Sequence, residues 1–179
     1  MKGKTLKKDG SGFTLSGIYA KYGMWIILIA MIILMSVLTP NFLTKRNLMN
    51  LVRQVSFIAI IGFGSAFILI SGGLDLSPGA VVAATSVVCA SFAQGNHPLI
   101  VPLLVGLLVG ITCGLINGFL VTRLNVPPFI ATLGTMQSAR GFAMLYSGGN
   151  SITKLTDSFK FLGQGSLLGI PVPIIVMVV

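Results

Sequence analysis

The chain has 179 residues, 54% of them hydrophobic and 8% charged, with a mean hydropathy of +0.97. A soluble domain carries about 25% charge, so the composition excludes an ordinary water-soluble globule; the apolar run 99–121 is also too long for a strand of a buried sheet. The formal net charge of +9 points to topology and not to nucleic acid, because Lys2, Lys4, Lys7, Lys8 and Lys21 precede the first apolar run without zinc-finger spacing or aromatic-basic interleaving.

Residues 1–21 form a basic N-terminal segment, expected on the cytoplasmic side. Within it Phe13, Leu15 and Ile18 either share an interfacial helical face with Tyr22 or belong to a flexible tail. Residues 22–179 are read as the transmembrane domain. Its first span covers 22–38, with Tyr22 and Trp25 at headgroup depth. Thr39-Pro40 closes it, since a proline disfavours helical geometry in the residue before it. No A-x-A-like cleavage site follows, so this span is predicted to be uncleaved. In 41–54 the cations Lys45, Arg46 and Arg53 alternate with apolar residues, and Thr44 is a candidate N-cap for a short interfacial helix that feeds span 2 at 55–71. Gly62 and Gly64 in that span allow a close helix approach.

Residues 69–79, L-I-S-G-G-L-D-L-S-P-G, interrupt the apolar sequence with Asp75, the only carboxylate between Lys21 and Phe129. Each flank has roughly 17 apolar or small residues, near the minimum for a helix that crosses a bilayer. Two short helices that meet at a polar break fit a transport protein, because unwound backbone persists at membrane depth only where protein or a wet cavity satisfies it. Gly72, Gly73, Asp75, Ser77 and Gly79 are therefore the candidate broken-helix motif or pathway lining. Ser77 suits an N-cap and Pro78 the first helical position. Asp75 has two readings, both ionised: it shapes or gates a polar path, or its carboxylate accepts backbone N–H groups where span 3 begins.

Span 3, 78–93, is rich in Ala, Ser, Thr and Val, a texture for packing among other helices. Residues 94–98 form a polar turn in which His97 is a loop residue. In span 4, 99–121, Gly106, Gly110, Gly114 and Gly118 recur every fourth residue and predict a close-packed face. Asn117 on the same helix bonds a neighbour or points into a polar path. Pro127-Pro128 opens span 5, 129–146, where Thr132, Thr135, Gln137 and Arg140 are candidates for a polar path or for structural bonds. Arg140 should snorkel, pair or border a cavity. Residues 147–169 read as a polar extramembranous connection, and 170–179 opens a sixth span that stops short of crossing, so the polypeptide is expected to be truncated. From a cytoplasmic N-terminus, 41–54 and 147–169 fall outside and 72–78 and 122–128 inside. The fold class is thus all-α: a polytopic membrane helical bundle with broken or short helices.

Catalytic chemistry is missing from this inventory. The acids are Asp9, Asp75 and Asp157 and there is one histidine, which supplies no pair for general acid/base work. Cys89 and Cys113 sit in apolar runs without metal-ligand or disulfide spacing. No phosphate loop of the G-x-x-x-x-G-K-[ST] type occurs, so any ATP hydrolysis must come from another chain.

The segments G-G-L-D-L-S-P-G at 72–79, I-N-G-F-L-V at 116–121 and V-P-P-F-I-A-T-L-G-T-M from Val126, continuing to Ala139-Arg140-Gly141, come in an order and spacing that resembles the permease subunits of bacterial ABC importers for ribose and related monosaccharides. Pro78 departs from the valine common in that family, and it suits a helix start. The resemblance covers about 22–179 and implies that the chain is the N-terminal half of a permease that forms the translocation path for a ribose-like sugar in the bacterial inner membrane. It implies these partners: a second permease subunit, identical or different; cytoplasmic ATPase subunits, which use ATP and Mg; a periplasmic or lipid-anchored sugar-binding protein; and membrane lipids. No cofactor is expected on this chain, nor any enzymatic activity, metal or nucleic acid. An ion-coupled secondary transporter and a non-transporting membrane scaffold stand as alternatives.

Overall fold

A computed structural model describes residues 15–95 and 97–178. Among them the order is α1 (Leu15–Leu38), α2 (Lys45–Ile70), α3 (Pro78–Ala93), α4 (Ile100–Thr122), α5 (Pro128–Ser147), α6 (Asp157–Gln164), β1 (Ser166–Leu167), β2 (Ile170–Pro171) and α7 (Val172–Val178). Three of the helices, α1 (over Lys21–Leu38), α2 and α4, are long and apolar enough to cross a membrane. The chain falls into two compact units, Met1–Met49 and Asn50–Val179.

In the first unit α1 starts at Leu15, so the junction expected at residue 22 is no helix boundary. No proline interrupts 15–38, and Lys21, with its ammonium 5.3 Å from the centroid of the Tyr22 ring, can extend its stem along the helix towards water. The face expected from Phe13, Leu15, Ile18 and Tyr22 lies for the most part outside the described side chains, and Phe13 and the first four lysines lie outside the described residues. Met24, Trp25, Ile27, Met31 and Leu34 are exposed, as lipid, unlike water, allows. Thr44 caps α2 as expected: its Oγ1 accepts the Asn47 N–H at 3.4 Å. From Lys45 to Ile70 α2 is continuous, so the interfacial helix and span 2 are one element. Its length, about 39 Å at 1.5 Å per residue, exceeds a ~30 Å hydrocarbon core and leaves the basic first turns free for the interface.

In the second unit α3 is the centre. It packs on both α4 and α5. Ala80 and Ala84 of α3 form the core with Ala139 and Ala143 of α5, and Val87, Val109 and Met136 pack around them. Each pair has i, i+4 spacing, so two small-residue faces meet and bring the helix axes close. At 16 residues, about 24 Å, α3 is too short to cross unaided. α3 and α5 run parallel: their starts are joined through Thr132 and Leu74, and their far ends through a 2.8 Å hydrogen bond between Ser91 Oγ and the Tyr146 hydroxyl. α4 returns between those two levels.

The stretch 147–169, expected to be a plain connection, has its own architecture. Gly148, at φ +59°, ends α5 in the left-handed region. The Thr156 N–H then donates to Ala93 O at 3.0 Å and Gln94 Nε2 to Thr153 O, which fixes the segment against the end of α3. After α6, Ser166 pairs with Pro171 and Leu167 with Ile170 in an antiparallel hairpin, whose turn places Leu168 (φ +52°) and Gly169 (φ +85°) both at positive φ. Elements this short are set by tertiary contacts and not by propensity, which is why composition did not announce them.

Candidate functional site

The break between α2 and α3 is built by two local devices. At the end of α2, Gly72 takes φ +79°, its N–H donates to Leu69 O and the Gly73 N–H to Ile68 O, each at 3.0 Å. This is the paired 5→2 and 6→1 pattern of a Schellman stop, for which glycine alone is free of a Cβ penalty. A Cβ at Gly73 would come within 3.1 Å of Ile68 Cγ2, so the chain there lies tight on α2. At the start of α3, Pro78 occupies the first helical turn as predicted.

Ser77 departs from its expected role. It precedes α3, but its side chain makes no cap bond. Instead Asp75 Oδ1 accepts both the Ser77 N–H and the Ser77 hydroxyl, each at 2.7 Å, a local Asx-type turn that takes that hydroxyl away from the helix amides. The Ser77 oxygen in turn accepts from Asn117 Nδ2 at 3.2 Å, and Asn117 Oδ1 accepts from Thr135 Oγ1 at 2.5 Å. Thr132 Oγ1 lies 3.2 Å from Leu74 O and 2.8 Å from Pro128 O. One chain of polar groups therefore links the break to α4 and α5, with Ser77 2% and Thr132 4% exposed.

Beside this network, Asp75, Ser77 and Asn117 line a cavity of about 260 Å³ together with Gly64, Ser65 of α2 and Gly110, Gly114 of α4. It offers a carboxylate, hydroxyls and an amide, and no cation lines it. Such groups can bond the hydroxyls of a small neutral polyol.

Of the residues singled out in the sequence, Asp75, Ser77, Asn117 and Thr135 meet in the network, Thr132 joins the break separately through Leu74 O, and Gly72 and Gly73 shape the backbone beside it. A Cβ at Gly79 would meet nothing within 4 Å. Gln137 and Arg140 are exposed on α5 and their side chains make no hydrogen bond among the described residues. The glycine face of α4 divides. Gly106 is buried where α4 crosses α3, and a Cβ there would clash with Cys89 Sγ, which itself donates to Pro102 O at 3.2 Å. At Gly110, Gly114 and Gly118 a Cβ would meet nothing within 4 Å, so among the described residues those glycines make no close helix contact; the close α3–α5 seam is made of alanines instead. Sequence reasoning missed that seam, although its signal, Ala80/Ala84 and Ala139/Ala143 at i, i+4, was present. It also missed Ser65, a lone small polar residue in an apolar helix.

A helical chain with three membrane-length elements among the described residues, one of them joined to the shorter α3 by an unwound segment that is hydrogen-bonded to α4 and α5 through Ser77 and Leu74, is a polytopic membrane protein with the architecture of a transport subunit. Residues 47–177 match the family described as branched-chain amino acid transport system / permease component, and the chain belongs to that family. It is similar to the ribose import permease protein RbsC of Bacillus subtilis, 41% identical over 99% of this chain and 56% of that protein. Similar too are the L-arabinose transport system permease protein AraH of Escherichia coli (36%, over 92% of this chain and 50% of that protein) and the D-allose transport system permease protein AlsC of the same organism (34%, over 96% and 53%). The chain spans about half the length of these curated relatives. No solved structure matches it.

Proposed function

We propose that the protein is the transmembrane permease component of an ATP-driven importer of a ribose-like monosaccharide. The observation that carries this is the 41% identity, along nearly the whole chain, to a ribose import permease, with arabinose and allose permeases beside it. The cavity next to Asp75 supports it: a neutral polyol needs hydroxyl, amide and carboxylate partners, whereas the family description names branched-chain amino acids, whose carboxylate would want a cation that this lining lacks. Gly72, Gly73, Asp75, Ser77 and Gly79 then border the translocation path, with Asn117, Thr132 and Thr135 holding it. The partners are a second permease subunit, cytoplasmic ATPase subunits that use ATP and Mg, and a periplasmic or lipid-anchored sugar-binding protein that sets selectivity. The chain resides in the bacterial inner membrane with its N-terminus in the cytoplasm, and contributes no covalent chemistry.

The test is uptake of a panel of labelled pentoses, hexoses and leucine by cells that lack only the full-length permease, with and without its plasmid copy. Restored uptake of a monosaccharide that requires the cognate ATPase supports the assignment. Restored leucine uptake alone, or sugar uptake that follows an ion gradient and ignores loss of the ATPase, overturns it.

A further inference from the structure

At the end of the second unit remote from the Asp75 break, α6 turns Phe159 and Leu162 inward, and Phe57 and Ile60 of α2, Leu103 of α4 and Val176 of α7 face them across a cavity of about 540 Å³. The wall is apolar apart from Lys160 and Gln164. Arg53, beside the lining and one turn from Phe57 on the same face of α2, reaches the lining residue Gln164: its Nη2 donates to Gln164 O at 3.2 Å. Its Nε is buried and has no hydrogen-bond partner among the described residues. Among the described residues Lys160 is held by Asp157 alone, 3.1 Å away and 99% exposed, a surface pair of small energy that leaves ammonium donors for a further partner.

These features select one kind of occupant. A guanidinium with a buried, unmet N–H wants an anionic acceptor, and phosphate oxygens match its planar fork. Inorganic phosphate would meet that need and leave the apolar wall uncovered; a neutral amphiphile would cover the wall and leave Arg53 unmet. We propose that this cavity binds an anionic phospholipid, with an acyl chain along Phe57, Ile60, Leu103 and Phe159 and the phosphate between Arg53 and Lys160. The lipid ties α2 to α6, elements otherwise joined by the Arg53–Gln164 bond. The inference rests on membrane residence and is independent of the transported solute.

The experiment uses the full-length permease with its partner subunits, delipidated in mild detergent and titrated with dioleoylphosphatidylglycerol or dioleoylphosphatidylcholine, bound lipid being counted by native mass spectrometry. The wild type should prefer the phosphatidylglycerol. The double variant Arg53→Gln/Lys160→Gln should weaken that binding by about thirtyfold, on the scale of two cations near an anionic surface, and leave phosphatidylcholine unchanged. Gly163→Leu should abolish binding of both lipids at this site, since residue 163 lines the cavity and a Cβ there meets nothing within 4 Å, so the side chain fills the space without moving the backbone. Equal affinity for the two lipids overturns the proposal. So does phosphatidylglycerol binding that survives Gly163→Leu, or inorganic phosphate that binds as tightly as the lipid. Sugar uptake, measured separately, reports on the transport assignment alone.

Discussion

Asp75 Oδ1 receives two donors from Ser77, and that shared acceptor fixes how the chain enters α3. An asparagine offers an oxygen in the same place with a weaker, neutral bond, whereas alanine offers none. In the full-length protein Asp75→Asn should therefore keep most of its thermal stability in detergent and most of its uptake, and Asp75→Ala should lose about 1–3 kcal/mol, the cost of stranding part-buried donors. Complete loss of uptake in both variants with assembly intact would mean that the negative charge itself is required. Further along the network, Asn117 joins Ser77 to Thr135. A cycle of Asn117→Leu, Thr135→Val and the double variant, read by unfolding, should give a coupling of about 1 kcal/mol, the scale of interhelical hydrogen bonds in membranes. A coupling of zero would remove Asn117 from its bridging role.

The helix contacts divide by residue size in a way that single substitutions can read. Gly106 lies against Cys89 Sγ and Thr85 Cγ2. Gly106→Ala should lower the melting temperature of the full-length protein, and Cys89→Ala in the same chain should restore part of the loss, because it removes the atom that the new methyl group meets. Gly110→Ala, with open space at its Cβ, should fold as the wild type does. Equal destabilisation at 106 and 110 would contradict the contact described here. The limits of the sequence show at this scale. The break was legible because its signals are local: the Gly72-Gly73 pair and Asp75 interrupt the apolar run and Pro78 starts a helix, although the Ser77 hydroxyl went to Asp75 and not to the helix amides. The pairing of helices was not, since Gly106, Gly110, Gly114 and Gly118 share one face and only the tertiary arrangement decides which part of it meets α3. Of the polar candidates on α5, Thr132 and Thr135 turned inward and Gln137 and Arg140 outward, a choice made by the Ala139/Ala143 seam. The helix α6 and its hairpin follow from contacts such as Thr156 N–H to Ala93 O that no local pattern encodes.

Taken as a whole, the second unit has two ends with different duties. One holds the break and its polar network; the other holds α6, the hairpin and the strap from α3 to residues 153–156. α3 and α5 run in parallel between them, with Thr132 beside Leu74 at the first end and Tyr146 beside Ser91 at the second. α5 has 20 residues, about 30 Å, which matches the hydrocarbon thickness despite its polar content. Leu124 and Leu168, both exposed and lying before and after α5, should thus face opposite sides of the membrane. On the proposed orientation, which puts the basic N-terminus inside, Leu168 belongs outside. In a full-length protein with its native cysteines replaced, Leu168→Cys should react with a membrane-impermeant maleimide in intact spheroplasts, and Leu124→Cys only after permeabilisation. The opposite pattern would invert the orientation and set the positive-inside bias of Lys2 to Lys21 aside. Labelling of both without permeabilisation would mean that α5 does not cross, so that the network at Asp75 lies at one surface of the membrane and borders no path through it.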